Sequence, residues 1–153
     1  MTKRILVPID GSPLSLRALE FVLEEYDDVT IVALHVLDPT DPGYSSATSV
    51  DVRTEPPRGS EEWYERADAE EDRLFEKARE RTDEYDAELI TDHSTGDPAR
   101  EIVAAAEEHN VDRIVMGSHG RTGPTRILLG SVAETVVRRS PVSVTVVRDE
   151  SVH

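Results

Sequence analysis

Cysteine is absent from this chain of 153 residues, which excludes disulfides, thiolate metal sites and thiol catalysis together. Lysine is almost absent, confined to Lys3 and Lys77. No apolar run reaches the roughly 18 residues that a membrane span needs. Met1 to Pro8 carries two basic residues but no long apolar stretch or small-residue cleavage site behind them. The expectation is a chain without a signal peptide, working in the cytoplasm and not in a membrane. His93 and His109 stand apart with no ligand-like spacing, so no structural metal is expected.

Basic charge is scarce in general: 17 Lys and Arg face 32 Asp and Glu, for a formal net charge of −15. Such a balance disfavours non-specific binding to nucleic acid or anionic lipid, which need a basic face. Acid-rich chains can be disordered, but here the apolar segments are regular and strand-like, so a folded domain is expected. A hydrated acidic surface of this kind suits concentrated salt, where counterions screen the self-repulsion. A halophilic protein is the corresponding expectation.

What is present reads as alternating strands and helices. Arg4 to Ile9 is a nearly continuous apolar run, as in parallel sheets covered on both faces. Asp10-Gly11-Ser12-Pro13 breaks it, with Ser12 as N-cap and Pro13 at the first helical position. Leu14, Ala18, Phe21 and Val22 recur at helical spacing, and the helix is expected to end near Asp27-Asp28. Val29 to Leu37 gives a second strand. From about 38 to 60 the pattern fails among prolines, glycines and serines, which marks a long functional or mobile loop. An acidic helix follows from about Glu61 to Tyr85, with Trp63, Ala67, Leu74, Ala78 and Tyr85 on its inward side. Ala87 to His93 reads as a polar edge strand, and Asp97-Pro98 opens the next helix. Asp112 to Gly117 is a fourth strand, Ser131 to about Arg139 a helix, and Val142 to Val147 the last strand. This order argues for one domain, residues 1–153, with a parallel sheet and helices on both faces.

In an open α/β sheet, ligands bind beyond the carboxyl ends of the strands where the chain order reverses. The strongest signal there is Gly117-Ser118-His119-Gly120, nine further residues, then Gly130-Ser131 at a helix start. Glycines admit close backbone approach, and a helix N-terminus offers N–H groups and a positive dipole end to a phosphate. The bland alternative is tight turns and a Ser131 cap. From Arg113 to Ala133 the chain holds Arg113, Arg121 and Arg126 and no acid, a cationic window that favours the anion-binding reading.

These blocks resemble the universal stress protein family in its ATP-binding form. Gly-x2-Gly-x9-Gly-Ser is similar to that family's nucleotide signature, and Ile5 to Ser12, Ala33 to Leu37 and Pro141 to Val147 resemble its other ordered segments. The resemblance covers essentially the whole chain; the loop from Asp38 to Ser60 is the least family-like part. It implies an adenine nucleotide alpha hydrolase-like fold, with Asp10 contacting the nucleoside and Val36 meeting adenine through its backbone. Gly117 would line the ribose side, and Gly120, Gly130, Ser131 and Val132 would hold phosphates. Pro8 and Met116 would wall the cleft, while Arg121 would neutralise phosphate. ATP, or AMP or ADP in its place, is the implied ligand, with Mg²⁺ held mainly through the phosphates. A homodimer through antiparallel pairing of the last strands is implied as well.

The expected architecture is an open five-stranded parallel sheet of order 3-2-1-4-5. The expected function is a nucleotide-dependent regulatory switch in the stress response, acting on an unidentified protein partner. Efficient catalysis is not expected, because Gly-x4-Gly-Lys-Ser/Thr, a nearby lysine and an evident base are all missing. The rival readings are an ATPase or adenylating enzyme of the same architecture, and an interaction module that binds no nucleotide. Among the remaining candidates, His35 reads as a satisfied core histidine and Asp97 as a helix cap. Trp63 reads as a core anchor, and His119 as either a solvated loop residue or a phosphate contact.

Overall fold

The computed structural model describes residues 2–39, 60–118 and 129–148. Nine elements alternate along them: β1 (Lys3–Pro8), α1 (Pro13–Glu25), β2 (Val29–Leu37), α2 (Glu61–Asp83), β3 (Ala87–Thr95), α3 (Pro98–Glu108), β4 (Arg113–Gly117), α4 (Ser131–Arg139) and β5 (Ser143–Val147). The five strands form one sheet of order β3-β2-β1-β4-β5, and every adjacent pair is parallel.

The apolar runs end up where both faces of the sheet are covered. Residues 5–9 and 29–36 are buried throughout. Side chains alternate between two layers, as the period of a strand requires. Ile5, Val7, Ile31 and Ala33 pack with Ala18, Leu19 and Val22 of α1 and with Leu74 and Ala78 of α2. Leu6, Val32 and Leu34 face the other way, onto Ala99, Ile102 and Ala106 of α3 and Ala133 and Val136 of α4. Each fully buried Ile, Leu or Val contributes roughly 1.5–3 kcal/mol, so these two layers are what hold the sheet. No helix among the described residues is long and apolar enough to cross a membrane.

Three boundaries differ from the sequence expectation by two residues or more. α1 stops at Glu25, and its C-cap Tyr26 is already extended. That leaves Asp27 and Asp28 outside the helix, away from the negative end of its dipole. α2 ends at Asp83, so Tyr85 lies past the last turn and is 40% exposed, not inward. The inward place nearest that end belongs to Thr82, whose hydroxyl donates to the Ala78 carbonyl at 2.8 Å. β3 runs on to Thr95, pairing Val36 with Ser94 and Leu37 with Thr95, polar residues that no hydrophobic pattern extends to. It is an edge strand, as its polarity implies.

Candidate functional site

β1 and β4 are neighbours at the centre of the sheet, with Ile5 opposite Arg113 and Leu6 opposite Ile114. After β1 the chain leaves for α1 on one face; after β4 it leads to α4 on the other. The two connections leave on opposite faces, and this switch point at the carboxyl ends of the strands is where an open α/β sheet forms its ligand crevice.

One arm of the crevice is the turn from β1 into α1. Gly11 has φ of 83°, a conformation closed to most side chains. Asp10 is buried, and its Oδ1 accepts the Ser12 N–H at 2.9 Å. Ser12 Oγ caps the helix by accepting the Ser15 N–H at 3.2 Å. Ser15 Oγ donates to the Ser12 carbonyl at 3.0 Å and receives the Asp10 N–H at 3.4 Å. Asp10 therefore both terminates the strand and stands fixed at the crevice. Ser15 supports it, a role that the sequence reading did not assign.

The floor comes from three strand ends. Pro8 closes β1 and Met116 lies one residue before the end of β4, both buried. The last bond between β1 and β2 is Ile9 N–H to the Leu34 carbonyl, at 2.8 Å. Backbone groups in a strand alternate sides, so Val36 turns its N–H and C=O the same way as Leu34, past the end of the β1 ladder. An edge of a planar base with one donor and one acceptor matches such a pair.

The second arm follows β4. Gly117 has a packing reason to lack a side chain: a Cβ there would lie 2.8 Å from the Leu14 Cβ of α1. Ser118 N–H donates to the Val147 carbonyl at 2.8 Å, and the Ser118 carbonyl accepts the Gly130 N–H at 2.6 Å. The Gly130 amide is thus engaged and not one of the free donors expected there. Nor is Ser131 the cap: Gly130 holds that position, with no side-chain hydrogen bond. Ser131, Val132 and Ala133 follow as the first helical residues, whose N–H groups have no intrahelical acceptor. Glu134, in the same turn, is held by Arg138 at 2.6 Å.

His119, Gly120, Arg121 and Arg126 lie outside the described residues, as does the loop from 40 to 59. Arg113 drops out of the cationic window. It opens β4 at the amino end, where its Nη1 donates to Thr145 Oγ1 at 2.8 Å, about 13 Å of strand from the crevice.

The other titratable candidates are structural. His35 is buried, with Nδ1 3.0 Å from Glu71 Oε1; His93 Nδ1 stands 3.8 Å from the other oxygen of Glu71. His109 Nε2 meets Asp92 Oδ2 at 2.8 Å on the opposite face. Asp97 caps α3 by accepting the Arg100 N–H at 3.1 Å. Trp63 is buried, with its ring edge-on to Tyr64. Among the described residues no group of three or more His, Cys, Asp or Glu is placed to hold a metal.

Comparison with known proteins agrees with the fold. Residues 1–148 match the model of the universal stress protein family. The chain is 35% identical over 150 residues to the universal stress protein MJ0531 of Methanocaldococcus jannaschii, covering 95% of this chain and 82% of that protein. It is 33% identical over 157 residues to MJ0577 of the same organism, covering 97% and 96%. The solved structure of MJ0577 superimposes with a TM-score of 0.77 at 29% identity, over 98% of both chains. A universal stress family protein from Arabidopsis thaliana, solved with AMP bound, shares the fold at a TM-score of 0.68 and 20% identity, over 97% and 94% of the chains. The chain belongs to the universal stress protein family.

Proposed function

We propose that this chain binds ATP in the crevice between β1 and β4 and acts as a nucleotide-dependent regulatory switch. The observation that carries the reading is the start of α4: three N–H groups, no side-chain cap, at the point where the sheet's connections diverge. Such a terminus is an anion site with both donors and dipole in place. Adenine would meet the Val36 backbone, and the ribose hydroxyls the Asp10 carboxylate. Gly117 would flank the ribose, between the walls made by Pro8 and Met116. Phosphates would rest on Ser131 and Val132; Gly120 and Arg121, which lie outside the described residues, are further candidates to hold and neutralise them. The AMP held by the Arabidopsis protein on the same fold makes an adenine nucleotide the first ligand to test. Magnesium would be carried mainly by the phosphates.

Binding would order the connections around the crevice and so expose or hide a surface for a protein partner. The same reading places the protein in the cytoplasm as a homodimer through β5, whose Val144 to Val147 are only half-buried in the single chain. A monomeric mass in light scattering would refute the dimer. The acid surplus suits concentrated salt, and a melting temperature indifferent to molar KCl would remove that part.

Calorimetric titration with ATP tests the central reading. Saturable binding that raises the melting temperature supports it, because a ligand of the native state must stabilise that state. An unchanged melting curve at millimolar ATP would favour a module without nucleotide. Turnover of about one per second or faster would favour an enzyme instead.

A further inference from the structure

A close contact joins the two arms of the crevice, and its chemistry is steric. Leu14 sits in the first turn of α1, one residue before Ser15 and two after Ser12, the pair that holds Asp10. Its side chain is 4% exposed. It lies against the backbone of Gly117: a Cβ built there would be 2.8 Å from the Leu14 Cβ, 3.3 Å from its carbonyl carbon and 3.4 Å from its carbonyl oxygen. The atoms in the way are main chain and Cβ, which no rotamer change can withdraw. Beyond Gly117, the Ser118 carbonyl fixes the Gly130 amide and with it the first turn of α4. A short rigid bracket therefore runs from Asp10 through Ser15, Leu14, Gly117 and Ser118 to the bare amides.

We propose that Leu14 is a positioning residue: its contact with Gly117 sets the span between the Asp10 arm and the α4 amides, and so fits the crevice to a ligand that touches both. This rests on the nucleotide reading above. The glycine is required for the approach of α1, beyond any role in flanking the ribose. A ligand engaging two sites at once loses affinity steeply when their separation is wrong, whereas a ligand engaging one does not. ATP reaches both arms; adenosine reaches Asp10 and Val36 but carries no phosphate for α4.

The test is the ratio of ATP to adenosine affinity, measured by calorimetry on the full chain. Gly117→Ala is expected to lower ATP affinity at least about tenfold and adenosine affinity, through the ribose that Gly117 flanks, by no more than about threefold. Removing the opposing Cβ, in the pair Leu14→Gly with Gly117→Ala, is expected to restore part of the ATP affinity. Should Gly117→Ala lose its cooperative thermal transition, Leu14→Gly serves in its place, since it withdraws the Cβ of the contact, and is expected to lower the ratio about threefold. An unchanged ratio in the folded variants would overturn the inference. So would a parallel loss of adenosine, which would make Gly117 a wall of the pocket only. A wild-type chain that binds ATP while the ratio stays fixed defeats this inference alone; one that binds neither ligand defeats the nucleotide reading with it.

Discussion

Among the described residues, three helices start beneath a side-chain oxygen and a fourth starts beneath none. Ser12 Oγ accepts the Ser15 amide at 3.2 Å, Ser60 Oγ the Trp63 amide at 3.2 Å, and Asp97 Oδ2 the Arg100 amide at 3.1 Å. Gly130 offers α4 nothing comparable. Glycine in place of a side-chain cap costs only a few tenths of a kcal/mol, so the bare start is a small local loss of stability at one chosen place. That place is the switch point of the sheet, which is where a ligand could supply the missing acceptor. The contrast separates amides that serve folding from amides left for binding.

Giving α4 an acidic cap should break the contrast most sharply. Gly130→Asp would satisfy the amides internally and set a carboxylate where phosphate belongs. Calorimetry should show ATP affinity down by about 100-fold or more, with thermal stability unchanged or slightly higher. Normal affinity in the folded variant would move the phosphates elsewhere. Ser12→Ala comes next: it removes the cap that seats Ser15, whose hydroxyl receives the Asp10 amide. About 1 kcal/mol of stability should be lost, with a further loss of ATP affinity of about threefold, read by titration at a temperature where the variant is folded. Asp97→Ala removes an equal cap at the start of α3, outside the proposed phosphate site. Its melting temperature should fall by about 2–4 °C while ATP affinity stays that of the wild type. Ser131→Ala should have the smallest effect: its exposed hydroxyl is worth about 1 kcal/mol of binding at most, with no measurable change in melting.

Much of this was legible in the sequence, for identifiable reasons. The continuous runs Arg4 to Ile9 and Val29 to Leu37 announced central strands because both their faces are buried. Ser12-Pro13 and Asp97-Pro98 announced helix starts, since cap and proline act locally. The family signature pointed to the crevice before its geometry was known. What stayed hidden depends on residues brought together by the fold. Gly117 reads as a ligand-facing glycine, yet the space it leaves is taken by Leu14, about one hundred residues earlier in the chain. Gly130 reads as a free donor until the Ser118 carbonyl is found within 2.6 Å of it. His35 with Glu71 and His109 with Asp92 are pairings across elements, with no spacing to announce them. Tyr85 misled because helical periodicity was carried past the point where α2 stops.

The most direct measurement is a two-dimensional amide spectrum of uniformly labelled protein, recorded with and without ATP. The Ser131, Val132 and Ala133 amides are expected to shift strongly, together with Val36 and the Asp10 turn, while the capped starts at Ser60 and Asp97 stay in place. Shifts confined to the capped helices, or absent from α4 at saturating ATP, would contradict the account.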